Sequence, residues 1–178
     1  MNPRSYLSAS SGTSALKEHL LETLAREHLR TLRVLKAYPE DKPDLKPSDR
    51  SMSALELIQI LLTGQEMLIA ALTIGLDWSG ALRARAVIPA SMASGIQKLD
   101  EVHRDLVSIL KQLPPARLRD TIRFFVGPKT LGDVTIFDFL WQMLLDQIHH
   151  RGQLSIYMRI AGAKVPSIYG PSADEPWT

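Results

Sequence analysis

The sequence contains no cysteine, which excludes disulfide bonds, thiolate nucleophiles and sulfur-ligated metals. It has no block of like charge. Acidic and basic residues alternate along most of the chain and leave a formal net charge of +2, with a pI near 9.0. That pattern offers no electrostatic footprint for nucleic acid or an anionic membrane, and neither is expected as a partner. A Gly-rich phosphate loop, a Gly-x-Ser-x-Gly elbow and a His-Glu-x-x-His pair are all missing. Residues 1–6 carry no secretory apolar stretch, so a cytoplasmic location is expected. The most apolar run, 57–76, is interrupted by Gln59, Gln65 and Glu66, which predicts a buried helix rather than a membrane span.

What is present is ordinary globular material. Hydrophobic residues make up 45% and charged residues 22% of 178 positions, enough for one domain over 1–178 with one substantial core. Residues 8–14 are small and polar and are expected to fray. From about Ser14, Leu16, Leu20, Leu24, His28, Leu32 and Leu35 recur at helical spacing, and Pro39 sets the stop near Ala37. His28 lies within that stripe and is expected to be a satisfied core-edge histidine, with a ligand role as the alternative.

Ser53 and Glu56 form a capping-box signature that opens a second helix running to about Thr73, with Gly75 as its stop. A loop through Asp77, Trp78, Ser79 and Gly80, then Arg83 and Arg85, leads to Pro89, taken as the first turn of a third helix. There Ile96, Leu99, His103, Leu106, Leu110 and Leu113 follow the seam spacing of antiparallel bundles until Pro114 and Pro115. Within 118–132, Ile122, Phe124 and Val126 alternate with Arg123 and Phe125, which predicts a short extended arm. A fourth helix is expected from Thr135 to about Ala161, followed by a Pro/Gly-rich, non-helical tail whose aromatics pack along the body. The sum is an all-α four-helix bundle with a short extended arm before the last helix and an irregular C-terminal tail.

The densest chemistry falls on the fourth helix. Asp146 and His150 are four residues apart, a spacing that stacks two side chains on one helical face. Phe139, Met143, Gln153 or Leu154, and Tyr157 share that face, so the pair is expected to point into the core. A buried carboxylate and imidazole need a partner. A divalent metal held by both satisfies them, and so does a direct hydrogen bond between them. Arg151 is expected to order the helix end or tail, and Gly152 to mark close packing against another backbone.

Gln147-Ile148-His149-His150-Arg151-Gly152-Gln153-Leu154 through Arg159, followed by Pro166 to Asp174, resembles the C-terminal signature of the DinB-like family of damage-inducible bundle proteins. Glu27, Lys46-Pro47-Ser48 and the helix start at Ser53 to Leu57 extend the resemblance along nearly the whole chain. It implies a four-helix bundle, a homodimer, and one divalent metal such as zinc or nickel held by three side chains. It also implies a metal-dependent hydrolase or a thiol-dependent transferase acting on a small molecule. Two of the implied ligands fall on Asp146 and His150. The third falls on Ile60, which cannot bind metal. A third ligand must then come from His28, His149 or Glu66; otherwise the metal is weakly held or absent and Asp146 bonds His150 directly. A non-catalytic dimeric bundle that has lost its metal is the alternative.

Overall fold

The computed structural model describes residues 9–76 and 88–177. The expected loop residues Asp77 to Gly80, with Arg83 and Arg85, lie outside them. Four long helices make the body: α1 (Ala9–Ala37), α2 (Ala54–Thr73), α3 (Met92–Gln112) and α4 (Ile136–Ile160). A 3-10 turn (Pro115–Arg119) and two strands, β1 (Thr121–Gly127) and β2 (Thr130–Thr135), join α3 to α4.

Local chemistry sets the helix ends. Helix α1 begins about a turn before the expected Ser14, because buried Thr13 is anchored by a hydrogen bond from Arg119 at 3.0 Å. Leu16, expected on its inner stripe, is exposed. The α2 start is the expected capping box: Ser53 Oγ accepts from the Glu56 amide at 3.1 Å, and the Ser53 amide donates to the Glu56 carboxylate at 2.6 Å. Gly75, at φ 87°, follows its end; its amide closes on the Ala70 carbonyl at 2.8 Å in a conformation that suits glycine. Helix α3 starts later than Pro89 suggests, because Ser91 and Ser94 cap each other there.

The expected single arm is a β-hairpin. Strand β1 pairs antiparallel with β2, with Thr121 opposite Thr135 and Phe124 opposite Gly132. Phe124 is its buried residue, with its ring 4.7 Å from that of Phe139 on α4. The approach is close at Gly132, where a Cβ would lie 2.8 Å from Val126.

Helix α2 packs against α3 and α4, and α1 packs against the same two, so α1 and α2 occupy one diagonal of the bundle. Although α2 is long and apolar enough to cross a membrane by composition alone, most of its residues are buried inside the bundle. The apolar interior has two parts. One gathers Leu57, Ile58, Leu99, Leu154 and Met158; the other gathers Leu20, Leu68, Leu106, Phe139 and Leu140. Along every helix the residues between the two parts are buried and polar: Glu27, His28 and Thr31 on α1, Gln65 on α2, His103 on α3, and Gln147 and Arg151 on α4.

Candidate functional site

Helix α4 is held at its start by Thr135, whose hydroxyl oxygen accepts from the Asp138 amide at 3.1 Å. From there its buried row runs Phe139, Met143, Gln147, Arg151, Leu154 and Met158. This corrects the expectation that Asp146 and His150 turn into the core. The inward polar positions are Gln147 and Arg151, each one residue later, about 100° round the helix. The physical reason is satisfaction. Arg151 Nη1 donates to Glu27 Oε2 at 2.8 Å, to the Glu27 carbonyl at 3.2 Å and to Thr31 Oγ1 at 3.4 Å. Its Nη2 donates to the Tyr169 hydroxyl, which donates in turn to Glu27 Oε2 at 2.5 Å. A guanidinium with 1% exposure is tolerable only with such partners. Arg151 thus orders the tail, as its sequence position suggests. Glu27 feels two opposed influences. Burial is the largest and pushes its pKa up, but the bonds from Tyr169 and Arg151, the charge of Arg151 and the Arg30 bond together hold it below the ordinary value.

Asp146 and His150 do meet. His150 Nε2 lies 3.5 Å from Asp146 Oδ2, on a flank of the helix where the His150 side chain is 13% exposed and that of Asp146 46%. On its other side, His150 Nδ1 is 3.0 Å from Gln153 Oε1. Both ring nitrogens therefore face oxygens that can only accept, an arrangement that favours the protonated ring over the neutral one. The Asp146 bond raises the His150 pKa, burial lowers it, and the Gln153 bond adds to the rise; the balance is upward. Gln153 also donates from Nε2 to His149 Nε2 at 3.2 Å, so the four polar residues form one surface chain.

The remaining candidates do not join them. His28 is buried on α1, bonded through Nε2 to Asp100 Oδ1 at 3.0 Å and stacked on His103 with centroids 3.7 Å apart. The α1–α3 seam thus pairs His28 on one ring nitrogen and stacks His103 on it, while among the described residues His28 Nδ1 is buried without a partner. Burial, then the His28 charge, pushes the His103 pKa down to about 3. Glu66 is exposed on α2, Ile60 is a half-buried aliphatic, and His149 is exposed with its ring 5.2 Å from that of His150. Among the described residues, no group of three or more His, Asp and Glu side chains could hold a metal. The donor set therefore does not fit the implied three-ligand zinc or nickel site. Two side chains are available, one short of the three that the resemblance implies.

One further expectation on this helix changes, and another holds. Gly152 is exposed, and a Cβ there would meet nothing within 4 Å among the described residues, so none of their backbone packs on it. Tyr157, expected on the inward face, is buried and donates to the Met52 carbonyl at 2.8 Å. The buried amide pair Gln65 and Gln147, 3.4 Å apart across α2 and α4, had no signal in the sequence beyond two glutamines in apolar runs.

Comparison with known proteins agrees with this architecture. A DinB-like protein from Bacillus cereus ATCC 10987 superposes with a TM-score of 0.71 at 19% identity, over 85% of this chain and 97% of that one. The DinB-like protein YjoA of Bacillus subtilis gives 0.65 at 22% identity, over 83% and 96%. YfiT of Bacillus subtilis, described as a probable metal-dependent hydrolase with an unusual four-helix bundle topology, gives 0.64 at 14% identity, over 92% and 95%. In sequence, the uncharacterized protein YrdA of Bacillus subtilis (strain 168) is 38% identical over 58 residues; that match spans 33% of this chain and 32% of YrdA. The DinB family model matches residues 10–177, nearly the whole length, and the chain belongs to the DinB family.

Proposed function

We propose that this chain is a metal-independent bundle of the DinB family that works as a dimeric binding or structural protein and not as a catalyst. The observation that carries this reading is the short donor set: Asp146 and His150 meet with no third His, Asp or Glu beside them among the described residues, and Ile60 falls at the position where the family resemblance implies a third ligand. The dimer is part of the same proposal. Leu145 and Ile156 on α4 are 60% and 61% exposed, with exposed Gly152 between them along the helix. Eleven residues bring Leu145 and Ile156 to within about 20° of each other round the helix, which makes one apolar stripe for a second copy.

Elemental analysis of untagged protein tests the reading. The expectation is substoichiometric zinc and nickel, with a melting temperature unmoved by chelator. One equivalent of metal per chain, lost in Asp146→Ala or His150→Ala, overturns it. Sedimentation tests the second part, since Ile156→Lys is expected to yield a monomer. A second reading, a zinc- or nickel-dependent hydrolase or thiol transferase acting on a small molecule, keeps one observation in its favour. Asp146 and His150 lie side by side, as two ligands from one helix must, and YfiT is described as a probable metal-dependent hydrolase.

A further inference from the structure

A cavity of about 340 Å³ lies away from the α4 pair, between the C-terminal end of α1 and the first half of α3. Its volume falls within the roughly 300–1,000 Å³ range of small-molecule sites. Leu32, Leu35, Met92 and Ile96 give it an apolar floor, of which the first three are buried. Three charged residues of both signs share the lining: Lys36, Glu40 and Asp100.

Those three differ in what they already hold. Asp100 is fixed by His28, which donates to Oδ1 at 3.0 Å, while among the described residues its Oδ2 has only the exposed Arg104 at 3.6 Å. The His28 bond is the largest influence on that carboxyl and holds its pKa below the ordinary value, so it stays ionised. Among the described residues, Lys36 and Glu40 have no ion-pair partner. A cation and two anions at the edge of an apolar recess suit a molecule that carries both charges on one end and a hydrocarbon body on the other. Lys36 and Glu40 are exposed, so a ligand with charges of both signs can pair with each in place of water, and a ligand with a single charge can pair with only one.

We infer that the α1–α3 cavity is a binding site for a small zwitterion with an apolar body, of the chemical class of a hydrophobic α-amino acid. Its carboxylate pairs with Lys36, its ammonium with Asp100 and Glu40, and its side chain covers Leu32, Leu35, Met92 and Ile96. The inference does not depend on whether α4 holds a metal.

Titration of the full chain with L-leucine, L-methionine and L-phenylalanine tests it, followed by calorimetry and by backbone amide shifts. At least one of the three is expected to saturate at one per chain and to move amides in 32–40 and 92–100. Isocaproate and isoamylamine, which each lack one charge of leucine, are expected to bind about tenfold more weakly or worse, a factor that corresponds to about 1.4 kcal/mol. Lys36→Gln is expected to weaken the zwitterion by a similar factor. Ile96→Trp fills the recess and should abolish binding; Ala93→Trp, at an exposed lining position, serves if Ile96→Trp does not fold. Equal binding of the single-charge analogues, binding that survives a filled recess in a folded variant, or no saturable response to any of the three amino acids overturns the proposal.

Discussion

Arg151→Met tests the account of the buried polar layer most sharply. Methionine keeps much of the length of the arginine stem and removes the guanidinium, with its bonds to Glu27, Thr31 and Tyr169. Removing one member of a buried ion pair costs about 3–5 kcal/mol, because the other charge is left without compensation. Here Glu27 keeps two partners, Arg30 at 2.5 Å and the Tyr169 hydroxyl at 2.5 Å, which places the cost near the lower end, about 3 kcal/mol. For a chain of this size that is a fall in melting temperature of about 6–12 °C. Urea unfolding at neutral pH measures it, with an unchanged slope as the sign that two-state behaviour persists. The comparison is Glu175→Gln, which removes the charge from an ion pair with Arg33 whose members are both roughly half-exposed, leaves the Arg33 bond to the Ser167 carbonyl in place, and is expected to cost about 0–1 kcal/mol. The double variant Glu27→Leu, Arg151→Met should recover most of the loss by removing both charges together. The pH dependence has a definite sign. The folded pKa of Glu27 is depressed, so its contribution is complete above the ordinary value of 4.5 and is lost as pH falls through the folded value. A cost below about 1 kcal/mol for Arg151→Met would refute the claim that this network holds α1, α4 and the tail together.

Three further outcomes follow from the geometry. His103 has a folded pKa pushed down to about 3 against an ordinary value of 6.5, so its contribution is complete above 6.5 and declines as pH falls toward 3. His103→Phe should flatten the stability profile across that window by up to about 1.4 kcal/mol per pH unit, measured by denaturation at stepped pH. The His150 pKa is raised, so the Asp146 pairing contributes below 6.5 and is lost as pH rises through the folded value. Asp146→Asn should lower the midpoint of the His150 imidazole NMR titration, and because the carboxylate is half-exposed it should cost under about 1 kcal/mol of stability. A Cβ at Gly95 would lie 2.8 Å from Ile58 and 3.1 Å from Pro89, so Gly95→Ala should destabilise by about 1–3 kcal/mol, whereas Gly152→Ala, with nothing nearby, should stabilise an isolated chain by about 1 kcal/mol. Thermal melts of the two alanine variants side by side decide that point.

The helices were legible in the sequence because three of them carry one-sided apolar patterns and clear stops. Ser53 with Glu56 and Pro39 marked ends that the chain observes. The hairpin was half legible. Ile122, Phe124 and Val126 alternate with Arg123 and Phe125 in β1, but β2 reads Thr-Leu-Gly-Asp-Val-Thr, with no alternation strong enough to declare a strand. Its partner supplies the order, through backbone pairing and the Arg123–Asp133 contact at 3.2 Å.

The candidate site was legible as a spacing and illegible as an orientation. Helix α4 carries apolar residues nearly all round: Phe139 and Leu154 are buried, while Leu145 and Ile156 are exposed. Periodicity alone therefore permits either the Asp146–His150 row or the Gln147–Arg151 row to face inward. What chooses between them lies far off in sequence, in Glu27, 124 residues before Arg151, and Tyr169, 18 residues after it. A buried cation goes where a buried anion waits, and no window of local sequence contains both. The same logic explains why the layer sits where it does. Between its two apolar parts each helix carries buried polar residues, Glu27 with His28, Gln65, His103, and Gln147 with Arg151, and these match only when the four helices are in register. A slip of one turn in α4 would set the Arg151 guanidinium against an apolar part of the core. At several kcal/mol for an unpaired buried charge, that penalty is comparable with the whole net stability of a small domain. In this bundle the polar layer selects one alignment of the helices, and the apolar parts on either side stabilise it.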